Sequence, residues 1–86
     1  MSRWEIELRY DRQLKESDDR YLALIREIHP QVGYLRHRDQ NGCLVVTVET
    51  HADNRQNAVE QAMIQSMQLW IHCQPFKADV VSSPEA

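Results

Sequence analysis

The side chains most readily turned to metal binding or nucleophilic chemistry at neutral pH, histidine and cysteine, number four and two among 86 residues. Cys43 and Cys73 lie far apart, with no CxxC and no Cys/His ligand pair around them, so neither a disulfide framework nor a structural zinc is indicated. Both are expected as free, largely buried thiols. His72 and Cys73 are adjacent, but neighbours on a helix point about 100° apart and cannot chelate one ion together. His29 falls at the end of a helix, where a cation complements the dipole, and His51 just ahead of another; neither has an acid partner close by in sequence. There is no nucleophile elbow, P-loop or HExxH pattern. The expectation is a chain that is not an enzyme, with no metal and no cofactor. Tyr34, Arg36 and Arg38, with His37 between them, form the one local basic cluster. Read plainly, it is a solvated edge strand whose arginines discourage edge-to-edge pairing; read functionally, it is a contact for an acidic partner or a nucleic-acid backbone. A net charge of −3 and a pI near 5.7 lack the basic excess typical of nucleic-acid binders, so nucleic acid is disfavoured.

These residues must be positioned by a small number of elements. Arg3 to Tyr10 alternates strictly, with Trp4, Ile6, Leu8 and Tyr10 on one face and Arg3, Glu5, Glu7 and Arg9 on the other, which predicts a half-buried strand. A polar loop follows, in which Ser17 or Asp18 can cap a helix. From Asp18 to His29 the apolar residues Tyr21, Leu24, Ile25 and Ile28 recur at helical spacing, and Leu14 is placed to pack back on the first turn. Pro30 stops that helix. Asn41 and Gly42 suit a tight hairpin turn. They join a weak arm over about Gly33 to Arg38, with Leu35 inward and Tyr34, Arg36 and Arg38 opposite, to the strong strand CLVVTVET, with Leu44, Val46 and Val48 inward. A second helix is predicted from an N-cap at Asp53 to Cys73, before Pro75. A closing strand, Phe76 to Val81, has Phe76, Ala78 and Val80 on one face. Residues 82–86 are expected to be a disordered tail.

The second helix carries the sharpest functional hint. On a helical wheel its apolar and small residues fill an arc of roughly 240°, wider than one buried face needs. Ala58, Val59, Ala62, Met63, Ser66, Leu69, Trp70 and Cys73 can form the core side. Ile64, Met67 and Ile71 lie at the edge of the arc or beyond, and Gln61, Gln65, Gln68 and His72 complete the circle without a permanent charge. An uncharged strip with Met beside it resembles an interface, which is depleted in Lys and Glu, more than a solvated face. The alternative is that Ile64 and Met67 pack under the first helix. Ile64, Met67, Ile71 and Gln68 are the expected partner interface.

The order strand, helix, strand, strand, helix, strand predicts an α+β, ferredoxin-like βαββαβ sandwich over residues 1–81: a four-stranded antiparallel sheet, order 4-1-3-2, with two helices on one face. The composition, 42% hydrophobic and 27% charged, suits one ordinary globular domain. With no secretory apolar run and no membrane-length segment, a cytoplasmic location without membrane attachment is expected. Familiar uses of this layout lack their residues here. Asp11-Arg12-Gln13-Leu14 stands where metal carriers have CxxC, no glycine precedes Gly33, and the open face carries Glu5, Glu7, Val45, Thr47 and Glu49 instead of stacking aromatics. The phrases CLVVTVETHADNRQNAVEQA and FKADVVSSPE resemble a group of small ferredoxin-like proteins of unassigned function that recur in actinobacteria and their phages. The group typically shows a VTVTV-like strand, an AD turn, an Ala-rich helix and a closing strand. This chain has Gln and Met where the group is richer in Ala and Leu, and the resemblance brings no catalytic residue with it. The leading expectation is a homodimeric protein-interaction module, with a host protein as a further partner if the chain is phage-encoded. The alternative is a small nucleic-acid-associated or regulatory protein using Tyr34, Arg36 and Arg38.

Overall fold

Alternation makes the first strand, β1 (Ser2–Tyr10): Trp4, Ile6, Leu8 and Tyr10 are buried, and the residues between them face the other way. The structure is a computed structural model describing residues 1–70 and 73–84. After β1 come α1 (Glu16–Ile28), a 3-10 turn (Pro30–Val32), β2 (Tyr34–Gln40), β3 (Cys43–Ala52), α2 (Arg55–Ser66) and β4 (Lys77–Ser82). The four strands form one antiparallel sheet in the order β2-β3-β1-β4, so the chain is α+β. Asn41 and Gly42, with φ of 54° and 82°, close the hairpin between Gln40 and Cys43, a turn that needs positive φ at both positions. One core cluster joins the inward residues of β1 to Leu44, Val46 and Val48 of β3, Leu22 and Ile25 of α1, and Ala58 and Ala62 of α2. The two alanines let the α2 backbone lie close to β1 and β3. Leu14 packs against this cluster, and both cysteines are free and half-buried.

The first helix is rotated from its expected setting. Asp18, Leu22 and Ile25 face inward, while Leu24 and Ile28 are 50% and 53% exposed. Polar ties set the rotation. The Asp18 carboxylate accepts from the Arg12 guanidinium at 2.7 Å and from the Lys15 amide at 2.9 Å, reaching back over the start of the helix, so Lys15 and not Ser17 or Asp18 holds the cap position. Farther along, Tyr21 Oη donates to the Leu69 carbonyl and Arg26 to the Leu35 carbonyl. These bonds outweigh the apolar periodicity of Leu24 and Ile28.

The second helix is shorter than its periodicity predicts, ending at Ser66 instead of Cys73, and Asn54 rather than Asp53 caps it by accepting from the Asn57 amide at 2.9 Å. The Ser66 hydroxyl takes the Met63 carbonyl at 2.6 Å, the acceptor that a continuing helix would offer to Met67. Met67, Gln68 and Leu69 instead donate three residues back, to Ile64, Gln65 and Ser66. Trp70 then packs edge-on against Tyr10 with ring centroids 5.1 Å apart, stacks on Tyr21 at 5.6 Å, and lies under the Arg12 guanidinium. Phe76, expected to share a strand face with Ala78 and Val80, precedes β4 and is 60% exposed, whereas Ala78 and Val80 pack on the core. Of the expected tail, Ser82 belongs to β4, and Glu85 and Ala86 lie outside the described residues.

Candidate functional site

The outer surface of α2 is defined by what its inner surface buries. Ala58, Ala62 and Ser66, four residues apart, face the sheet, and Val59 and Met63 are partly buried against the core. Ile64 and Met67 therefore point away from the core and are 57% and 60% exposed. They do not pack under α1. Gln68 is exposed too, and its Oε1 accepts from Gln31 Nε2 at 2.9 Å, which ties the turn after α2 to the 3-10 turn. Ile71 lies outside the described residues. Gln65 turns inward, its Nε2 donating to the carbonyls of Val32 at 2.7 Å and Glu49 at 2.9 Å. Met63, Ile64, Ser66 and Met67, with Gln74 and Pro75, line a hollow of about 120 Å³. From Gln61 to Phe76 the sequence has no Asp, Glu, Lys or Arg.

The sheet face away from the core is charged but internally paired. Arg36 of β2 reaches across β3 to Glu5 of β1 at 2.9 Å, and Arg38 reaches Glu7 in the same way. Arg3 adds contacts to Glu5 at 3.0 Å and Glu49 at 3.3 Å. Beneath these bridges Val45 and Thr47 are sealed from solvent. The hydrogen bond from Arg36 holds the Glu5 carboxyl below the ordinary carboxylate range, and that from Arg38 does the same for Glu7, each against an opposing effect of burial. With both guanidinium groups engaged by carboxylates, phosphate recognition on this strand is weakened.

Tyr34 does not share that face with Arg36 and Arg38. The register shifts between Tyr34 and Arg36, a bulge that places Tyr34 against the core and leaves Leu35 half-buried outside the core cluster, not inward as expected. Tyr34 Oη is hydrogen-bonded to His37 Nδ1, and His37 Nε2 donates to the Asp19 carboxylate, which can only accept. Arg26 lies over the Tyr34 ring at 5.0 Å. Burial raises the Tyr34 hydroxyl above its ordinary pKa, opposed by Arg26. This chain of hydroxyl, imidazole and carboxylate fastens β2 to α1. Sequence reading missed it because the bulge that brings residues 34 and 37 to one face leaves no mark in residue type.

Among the described residues no group of three or more His, Cys, Asp or Glu side chains is placed to hold a metal, and no helix is long and apolar enough to cross a membrane. Compared with protein-family models, with curated proteins and with solved structures, the chain matches none.

Proposed function

We propose that this chain is a non-enzymatic protein-interaction module of ferredoxin-like build that pairs with a second copy of itself through the outer face of α2. The strand order, which is a 4-1-3-2 sheet read from the opposite edge, supports the fold reading. The observation that carries the function is the exposure of Ile64 and Met67, three residues apart, beside a hollow on an uncharged stretch of chain. From Gln61 to Phe76 no Asp, Glu, Lys or Arg intervenes, so copies meeting around Met67 bring like charge close only at Glu60, one turn before Ile64. Full burial of an Ile or Met side chain contributes about 1.5–3 kcal/mol, so covering the exposed parts of both contributes roughly 2–3 kcal/mol per copy. A stable interface takes ~800 Å² from each partner, about one seventh of this chain's 5449 Å². Gln74, which lines the same hollow, and exposed Gln68, next to Met67 in the chain, are available to supply part of the remainder.

Sedimentation equilibrium on the native chain and on Met67→Glu tests the reading. The native chain is expected to be a dimer at micromolar concentration, and the variant a monomer with native circular dichroism. A native monomer, or a variant that dimerises equally well, would overturn it.

A further inference from the structure

The third strand outruns its neighbour at the sheet edge. Pairing between β2 and β3 extends only to Tyr34 opposite Val48, while β3 continues to Ala52, still paired with β1. The Glu49 amide donates to the Gly33 carbonyl at 2.7 Å, and the Glu49 carbonyl accepts from Gln65, so both point away from β1. Backbone direction repeats every second residue along an antiparallel strand, so the amide and carbonyl of His51 also point to this open side. Among the described residues, no backbone hydrogen bond outside the sheet ladder engages either group. His51 is thus a short stretch of unpaired sheet edge.

Two clefts meet at His51. One, of about 320 Å³, is walled by Gln31, Gly33 and Gln65; the other, of about 270 Å³, by Asn57, Gln61 and Ile64. Thr50, buried and lining the first cleft, has a hydroxyl with no hydrogen-bond partner. Glu49, Asp53 and Glu60 line the two clefts; Glu49 is bridged by Arg3 at 3.3 Å and Asp53 lies 4.0 Å from the Met1 ammonium, which leaves Glu60 as the carboxylate with no cationic partner among the described residues. Unpaired strand backbone flanked by side-chain amides is suited to peptide backbone, and the Glu60 carboxylate is complementary to a cationic side chain.

We propose that this edge receives an extended peptide segment of a partner protein, added as a short strand beside His51, with a Lys or Arg side chain of the segment facing Glu60. The second cleft shares Ile64 with the proposed self-association surface, but the unpaired backbone at His51 does not depend on that reading.

The test is a nitrogen-15 NMR titration of Met67→Glu, so that self-association does not intrude, with the probe acetyl-Val-Lys-Val-Lys-Val-amide. Saturable shifts centred on the His51 amide, with its hydrogen exchange slowed by about tenfold, are expected. A probe with alternate amide nitrogens methylated, or with Glu replacing Lys, should lose the response. Absence of shifts at residues 49–52 at millimolar probe overturns the proposal, as does an equal response to the methylated probe. A His51 amide already protected in the free chain, more so as protein concentration rises, also overturns it by assigning the edge to a second copy.

Discussion

Glu5 and Glu7 sit between arginines on the sheet face, and their carboxyls are held below the ordinary range by Arg36 and Arg38. A group whose pKa is lower folded than unfolded contributes stability that is present above the unfolded value, about 4.3 for Glu, and is lost as pH falls through the folded value. The thermal unfolding midpoint of the native chain should therefore fall as pH drops below about 4.5. In the double variant Glu5→Gln, Glu7→Gln the midpoint at pH 7 should be lower and the acid dependence shallower; parallel melting curves across pH would contradict this. Gly33 is a second single-residue constraint, with φ of 74° and a position at which a Cβ would lie 2.3 Å from the Glu49 carbonyl oxygen. Gly33→Ala is expected to cost about 2–3 kcal/mol by urea unfolding with an unchanged m-value. A loss under about 0.5 kcal/mol would mean that the backbone there relaxes freely. At this scale the alternation of β1 could be read directly, because period-2 burial depends on residue type alone. The separation of Tyr34 from Arg36 could not, because it depends on one bulged residue.

Both helices could be foreseen as elements, but their extent and rotation depend on contacts that local periodicity does not contain. Leu24 and Ile28 follow helical spacing as well as Leu22 and Ile25 do, and what selects between them is the buried Asp18 with its ties to Arg12 and Lys15. In α2 the apolar pattern continues to Cys73, yet the Ser66 hydroxyl interrupts the helical bonding and the chain turns so that Leu69 and Trp70 meet α1 and β1. If the aromatic packing of Trp70 holds this turn, Trp70→Ala should lose about 3 kcal/mol in urea unfolding, at the lower end for a large aromatic because Trp70 is only partly buried. A loss below about 1 kcal/mol would place the determinant in Ser66 and the turn itself. That Ile64 and Met67 lie outside the core was foreseeable because a wheel too apolar for one face cannot bury all of its apolar residues. The edge at His51 was invisible because it arises from the unequal lengths of β2 and β3.

For the whole molecule, one face of the sheet is sealed by paired charges, the other by the core, and beyond Glu60 the outer side of α2 carries no charge and leaves Ile64 and Met67 open. On the proposed reading, the contact between copies lies on α2 and the His51 edge serves a different partner. The most direct test is an isotope-filtered NOE experiment on a mixed sample, half the chains carbon-13 labelled and half unlabelled. The expected result is a set of intermolecular cross-peaks from the Met67 methyl and the Ile64 methyls. Intermolecular cross-peaks arising only from the sheet face around Arg36 and Arg38, or none at millimolar protein, would contradict self-association through α2.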